Sequence, residues 1–173
     1  MEEAGASGDA IWSHAWAFSE VTVDGVKASR YSCSPELRSN KGTNITSIGV
    51  ICHEFGHVLG APDYYDTDYE NSGGEFPGTG KWDMMAGGSW NNGGVTPAYH
   101  NGFTKTFVYD WAPVTLLETG STITLTNAIA DKNNFYRINT STPGEFFFIE
   151  NRNQIGFDSN IPGAGMIIYH VHK

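Results

Sequence analysis

The stretch TSIGVICHEFGHVLGAPD, residues 46–63, decides how this chain folds. Its apolar residues recur at helical spacing, polar residues suited to capping precede it, and Gly60 stands where a helix would stop. The sequence therefore predicts a central helix over about residues 46–60. Pro62 cannot continue a helix without losing a hydrogen bond, which supports an end at this point.

Two histidines share one side of this helix. His53 and His57 are four residues apart, so their imidazoles lie about 40° apart around the helix axis and can reach one metal ion. Glu54 lies about 100° from His53, where it flanks that ion and suits a general base. In such an HExxH pattern the carboxylate takes a proton from a metal-activated water and passes it to the leaving nitrogen. The pattern predicts a zinc hydrolase.

A third ligand is expected just after the helix. In a continued helix Asp63 would be carried away along the axis, but a positive φ at Gly60 can bend the chain back beneath the ion. His53, His57, Asp63 and a water would then complete a tetrahedral catalytic site. The sequence therefore predicts that Asp63 is the third zinc ligand.

Other acidic residues near the motif leave two alternatives open. Glu75 follows His57 at the spacing that thermolysin-like enzymes use for a third ligand, although the glycines around it disfavour the second helix those enzymes need. Asp66, Asp68 and Glu70 offer the oxygen donors of a calcium site. Calcium is therefore a second candidate ion beside zinc.

The two faces of the predicted helix differ in composition. Each glycine in a helix interior costs about 0.8–1.0 kcal/mol in helix propensity, so glycines beside the histidines need a compensating reason. We expect Gly49, Gly56 and Gly60 to leave room for the metal and a substrate. The opposite face is expected to pack into the core, and it carries Ile48, Ile51, Phe55, Val58 and Leu59.

The motif continues as HExxHxxGxxD over residues 53–63, which resembles the metzincin clan of zinc endopeptidases. Residues 80–90, GKWDMMAGGSW, are similar to the WDxMxxGSW stretch of the immune inhibitor A family of secreted bacterial metalloproteases. Met85 aligns with the methionine-turn position, and the resemblance implies that it forms an apolar floor under the ligands without binding the metal. Further similarity runs through residues 145–171 and the upstream IWSHAW, residues 11–16.

This resemblance implies an α+β fold, a partial metzincin-like zincin catalytic domain with an active-site helix, a second helix and a β-rich C-terminal part. It also implies a secreted or cell-surface bacterial enzyme that acts on protein or peptide substrates. Only about 45 residues precede the central helix, whereas the family carries further strands and helices there. Part of the upper subdomain is therefore expected to be absent, which leaves open whether this piece is active.

Three regions are predicted along the chain. Residues 1–8 are small and polar and are expected to be disordered. Residues 9–112 form the zinc-protease region, in which a long loop with the methionine turn, residues 61–95, is followed by a second helix over about 96–110 that begins with an N-cap threonine and a proline. Residues 113–173 are β-rich and end on a strand-like run, which predicts a truncated C-terminus.

Ahead of the central helix the sequence predicts a β-hairpin. Asp24-Gly25 stands between two strand-like runs and suits a type I′ turn, in which both central residues need positive φ. The second run, around Arg30 to Ser34, is the natural edge for an extended peptide to pair with. Cys33 and Cys52 form neither a disulfide framework nor a metal clip, so we expect buried free thiols.

The composition excludes several classes of protein. A chain of 173 residues with 39% hydrophobic and 13% aromatic residues suits one folded domain. A formal net charge of −9 disfavours nucleic acid as a partner. No apolar run reaches the roughly 18 residues that a membrane-spanning helix needs, and the acidic N-terminus lacks a signal-peptide pattern. The sequence does not define an oligomeric state.

The resulting functional prediction is a zinc-dependent endopeptidase with Glu54 as general base. One alternative is a metal-stabilised binding or adhesive module without catalytic turnover. A second alternative is a calcium-stabilised recognition domain in which zinc is incidental.

Overall fold

The computed structural model describes residues 11–38, 43–68, 73–129 and 131–172. These residues form a mixed α+β fold with one α-helix, a two-stranded sheet and a four-stranded sheet. No helix in this part of the chain is long and apolar enough to cross a membrane. The disorder expected for residues 1–8 lies outside the described residues.

The N-terminal sheet is the predicted β-hairpin. Strand β1, His14–Val23, pairs antiparallel with strand β2, Val26–Cys33. Asp24 and Gly25 between them have φ values of 51° and 79°, as a type I′ turn requires. The hairpin prediction is confirmed.

The central helix, α1, runs from Ile48 to Val58 with Ser47 at its N-cap. It is slightly shorter than the predicted span. The glycine face does not open as expected, because an added Cβ at Gly49 would collide with the carbonyl oxygen of Ser89. Gly49 therefore allows the backbone of residues 87–94 to approach the helix closely, so the prediction was wrong for Gly49 and Gly56, whereas Gly60 is exposed.

The apolar face of α1 is also different from the expectation. Ile48, Ile51 and Phe55 are exposed, and they line a cavity of about 420 Å³ together with Trp111 and Phe157. The helix periodicity identified two faces correctly, but periodicity alone does not reveal which face a distant segment covers. The covered face is the one with the glycines.

The second helix is much shorter than the predicted span of residues 96–110. Within this span helical backbone covers residues 102–108, which include a π-helical turn, Thr104–Val108, and residues 97–101 are irregular. The N–H of Ala98 donates to the carbonyl of Gly88, and the N–H of Tyr99 donates to Asp158. The carbonyl of Tyr99 accepts a bond from Arg152, so distant residues hold this segment in place of the bonds of a helix.

The C-terminal sheet has the order β3-β4-β5-β6, and its strands are Thr115–Leu116, Tyr136–Asn139, Phe146–Arg152 and Gly165–Val171. Its core contains Phe135, Phe146 and Phe148. Within the region predicted to be β-rich, residues 121–129 are irregular, and the N–H of Thr126 donates to the side chain of Asn134 there.

Both cysteines are free thiols, as predicted. Cys33 and Cys52 are partly exposed rather than fully buried. Cys33 ends strand β2 and Cys52 lies within α1, and they carry no structural crosslink.

Candidate metal centre

Three side chains converge at the C-terminal half of α1. The Nε2 atoms of His53 and His57 lie 3.2 Å and 3.3 Å from Oδ1 of Asp63. In a tetrahedral site with ligand distances of about 2.0 Å, neighbouring ligand atoms are about 3.3 Å apart. The two His–Asp distances match that value, and the three predicted ligand atoms all lie within 4.8 Å of one another.

The end of α1 brings Asp63 into this cluster. The N–H of Gly60 donates to the carbonyl of His57, and the N–H of Ala61 donates to the carbonyl of Gly56. These two bonds form a Schellman motif in which Gly60, with φ of 107°, is the left-handed residue. The chain consequently reverses beneath the helix, and Asp63 returns to the histidines.

Backbone carbonyls orient both imidazoles. Nδ1 of His53 lies 2.9 Å from the carbonyl oxygen of Met84, and Nδ1 of His57 lies 2.8 Å from that of Ala61. A carbonyl can only accept a hydrogen bond, so each Nδ1 carries a proton, and in the neutral form of each imidazole Nε2 then presents a lone pair towards Asp63. Metal-binding histidines are commonly oriented by this kind of bond.

The cluster lacks a positive charge of its own in this tautomeric state. Oδ1 of Asp63 is buried and receives no well-directed hydrogen bond, although both Nε2 atoms are at contact distance. Burial raises the pKa of Asp63, but hydrogen bonds and charge attraction from the protonated forms of His53 and His57 lower it by more, so the carboxyl group stays ionised. When both imidazoles are neutral, three lone-pair donors face one another, an arrangement that a shared cation stabilises, and two imidazoles with one carboxylate suit zinc.

Glu54 flanks the cluster and is available for proton transfer. Its carboxyl group is partly buried, and burial raises its pKa, while His53 and His57 act in the opposite direction. Within the described parts of the chain the carboxylate has no ion pair. A carboxylate with a raised pKa and free oxygens has the properties of a general base.

The methionine turn lies directly beneath α1. Met85 is fully buried, and an added Cβ at Gly56 would lie 2.5 Å from its sulfur atom. The side chain of Met85 therefore contacts the helix one residue before His57. Met84 contributes its carbonyl oxygen to His53, and its side chain lines the cavity on the other face of the helix.

The alternative ion sites receive less support from the structure. Glu75 is exposed and is not part of the cluster. Asp66 accepts a hydrogen bond from the N–H of Asp68, and Glu70 lies outside the described residues. Among the residues that the structure describes, His53, His57 and Asp63 are the group that could hold a metal ion.

The predicted peptide-binding edge contacts the helix end. Strand β2 pairs with β1 on one side, and no strand pairs with its other edge within the described ranges. Nη1 of Arg30 lies 3.2 Å from the carbonyl oxygen of His57 and so caps the C-terminus of α1. This contact ties the hairpin to the metal centre.

Two polar residues near the centre were not singled out by the sequence analysis. Asp83 and Asn101 are both buried and bond to each other, and Asp83 also accepts a hydrogen bond from the N–H of Met85. Burial raises the pKa of Asp83 to about 6, although these donors and Arg152 lower it. The signal in the sequence was an acidic residue directly before two methionines.

Comparisons with known proteins agree with this geometry. The sequence profile of the family described as immune inhibitor A peptidase M6, catalytic domain, matches residues 2–111. Immune inhibitor A of Bacillus thuringiensis subsp. alesti is 32% identical over 126 residues, which are 61% of this chain and 17% of that protein. Pre-pro-metalloprotease PrtV of Vibrio cholerae serotype O1, strain M66-2, is 34% identical over 117 residues, 62% of this chain and 12% of that protein.

Proposed function

This chain belongs to the immune inhibitor A peptidases of family M6, and from that membership we propose that it is a zinc-dependent endopeptidase with a metzincin-like zincin fold. The chain spans less than a fifth of the length of these two relatives. Activity, substrates and partners of the whole protein are therefore part of the proposal.

The observation that carries the proposal is the convergence of two Nε2 atoms on one carboxylate oxygen, at 3.2 Å and 3.3 Å, with all three atoms within 4.8 Å of one another. His53, His57 and Asp63 would hold the ion, and the carbonyls of Met84 and Ala61 fix the tautomer that this requires. When bound, zinc supplies a water of lowered pKa and polarises the scissile carbonyl. The family membership makes a peptide bond the substrate of that chemistry.

Glu54 is the proposed general base. Its carboxylate accepts a proton from the attacking water and then donates that proton to the amine nitrogen that leaves. The raised pKa of Glu54, caused by burial, favours both transfers because the group can hold the proton between them. Met85 is proposed to give the ligands an apolar floor.

We propose that an extended peptide substrate pairs with the free edge of β2, around Arg30 to Ser34. Two features support this: the edge has no partner strand in the described residues, and Arg30 connects it to the helix end. We also propose export to the cell surface or medium, because one relative is named a pre-pro-metalloprotease.

Replacement of Glu54 by Gln tests the proposed mechanism. The change keeps the size of the side chain but removes its basicity, so hydrolysis of a quenched peptide should fall by about 10²–10⁴-fold. Zinc content, measured by elemental analysis, should stay at one ion per chain because Glu54 is not a ligand.

Glu75→Gln is the matched control, since Glu75 is exposed and outside the cluster. It should leave both hydrolysis and zinc content unchanged. Normal hydrolysis by Glu54→Gln would refute the role of Glu54. A wild-type chain that binds zinc yet cleaves no peptide or protein would instead favour the non-catalytic binding module.

A further inference from the structure

The methionine turn is held by one buried carboxylate. Oδ1 of Asp83 accepts a hydrogen bond from the N–H of Met85 at 3.1 Å, and Oδ2 accepts one from the side-chain amide of Asn101. Oδ1 of Asn101 in turn accepts the N–H of Thr104 at 2.8 Å. These bonds form a relay that runs from Asp83 through Asn101 to Thr104. All three residues are buried, so water does not compete for the hydrogen bonds of the relay.

The same turn carries hydrogen bonds to both sides of the metal centre. The carbonyl of Met84 accepts the bond from Nδ1 of His53, and the carbonyl of Met85 accepts the N–H of Tyr64 at 2.9 Å. Tyr64 directly follows Asp63 in the chain. A shift of the turn would therefore displace His53 and Asp63 together.

A buried ion pair of the C-terminal sheet fixes the segment that presents Asn101. Nε and Nη2 of Arg152 both lie 2.6 Å from the carboxylate oxygens of Asp158. Oδ1 of Asp158 accepts the N–H of Tyr99 at 3.0 Å, and Nη2 of Arg152 donates to the carbonyl of Tyr99 at 3.3 Å. Both backbone groups of Tyr99 are thus held, two residues before Asn101.

We propose that Asp83 is a positioning residue for the metal ligands His53 and Asp63, and that the Arg152–Asp158 pair keeps it in place through Asn101. This inference rests on the proposed metal centre. It makes the C-terminal sheet a supporting part of that centre, although residues 150–158 lie outside the span that matches the family profile. Groups that orient metal ligands typically change metal affinity by 10–100-fold when they are removed.

Asn101→Ala tests the relay, and Asn134→Ala is its matched control. Asn134 is also buried and bonds Thr126 and Asp131, which do not contact the methionine turn. Zinc affinity is measured by competition with a chromophoric chelator at a temperature where circular dichroism shows both variants folded. Asn101→Ala should weaken zinc binding by about tenfold or more, whereas Asn134→Ala should change it by less than about twofold.

A charge swap separates positioning from general stability. Asp83→Asn alone leaves one acceptor oxygen for two donors, the N–H of Met85 and the side-chain amide of Asn101, so it should weaken zinc binding and alter the visible spectrum of the cobalt(II)-substituted protein. Adding Asn101→Asp restores the pair with reversed polarity. The amide now at position 83 would donate to the carboxylate now at position 101, and that carboxylate would still accept the N–H of Thr104. The double variant should recover most of the affinity and the wild-type cobalt spectrum.

Two outcomes would overturn the inference. One is wild-type zinc affinity in Asn101→Ala and Asp83→Asn, and the other is equal weakening by Asn134→Ala. Failure of the proposed peptidase activity is recognised separately, because zinc affinity and the cobalt spectrum are read without any substrate. A wild-type chain that does not bind zinc would overturn both proposals.

Discussion

At the scale of single residues, the candidate centre depends on a few residues that let other groups pack closely against α1. Gly56 has no Cβ, and this allows the sulfur of Met85 to lie against α1 beside the ligand His57. Asp83 is a buried carboxylate without a direct ion pair in the described part of the chain. Each of these features has a measurable cost.

Gly56→Ala should destabilise the protein although alanine is the better helix former. The added methyl group would lie 2.5 Å from Met85 Sδ and 3.1 Å from both His100 and Tyr109, so the interior is overpacked. We expect the free energy of unfolding, measured with denaturant, to fall by about 1–3 kcal/mol. Gly163→Ala is the control, because its added Cβ would meet Trp82 at an ordinary 3.7 Å. Higher stability of Gly56→Ala than of wild type would contradict this packing.

Asp83 should make stability depend on pH. Its pKa is raised from 3.8 to about 6, mainly by burial, so the folded state holds this proton more tightly than the unfolded chain. The resulting stabilisation is complete below pH 3.8 and is lost as the pH rises through about 6. In metal-free protein, the stability of wild type relative to Asp83→Asn should therefore fall by up to about 3 kcal/mol across this range. A pH-independent difference between the two unfolding curves would rule this out.

At the scale of secondary structure, the end of α1 has more influence on the centre than its length. The Schellman motif at Gly60 reverses the chain, and Arg30 from β2 caps the carbonyl of His57 at the same end. The helix carries two of the proposed ligands, and the turn that follows carries the third. The backbone conformation of this turn therefore sets the geometry of the whole cluster.

Gly60→Ala should weaken zinc binding through the backbone. Gly60 has φ of 107°, and an L-residue in the left-handed region costs about 1–2 kcal/mol. The backbone would relax to relieve this strain, and the relaxation would move Asp63. We expect a roughly tenfold weaker zinc affinity in the chelator competition assay. Gly120→Ala is a strained control at φ of 84° with nothing near its added Cβ. If both variants bind zinc as wild type does, the turn does not control Asp63.

At the scale of the whole molecule, the protein has two packed regions that one segment links. One region contains Met84 and Met85 under α1, and the other contains the phenylalanine core of the C-terminal sheet. The irregular residues 97–101 bond to Asp83 and Gly88 on one side and to Asp158 on the other. Occupancy of the metal centre should therefore stabilise the entire fold rather than one loop.

Zinc should raise the thermal midpoint of the chain. A ligand that binds only the folded state at 100 times its Kd stabilises it by about 2.7 kcal/mol, which is about 5–10 °C for a domain of this size. Calorimetry with and without zinc checks this. Asp63→Ala, which lacks one ligand, should show little of the shift. An equal shift in that variant would mean that the ion binds elsewhere.

Much of the centre could be predicted because its determinants are local. The four-residue spacing of His53 and His57 and the glycine at position 60 act within one turn of a helix, where sequence patterns are most informative. The hairpin around Asp24-Gly25 was predictable for the same reason. Its turn depends on the φ values of two adjacent residues.

The parts that could not be predicted depend on contacts between distant segments. Tyr99 lies in an irregular segment where a helix was predicted, and its backbone bonds Arg152 and Asp158, more than fifty residues further along the chain. Likewise, the role of Gly49 becomes visible only when the carbonyl of Ser89 lies against it. A one-dimensional pattern identifies such residues as unusual, but it does not identify their partners.

The acceptors that orient His53 and His57 belong to the peptide backbone at Met84 and Ala61. Every amino acid brings a carbonyl to its position, so no point mutation at either site deletes the acceptor itself. Substitutions at these two positions can therefore change the neighbouring apolar contacts while the carbonyl acceptors remain. In this respect the orientation of the two imidazoles is protected against point mutation of the acceptor residues.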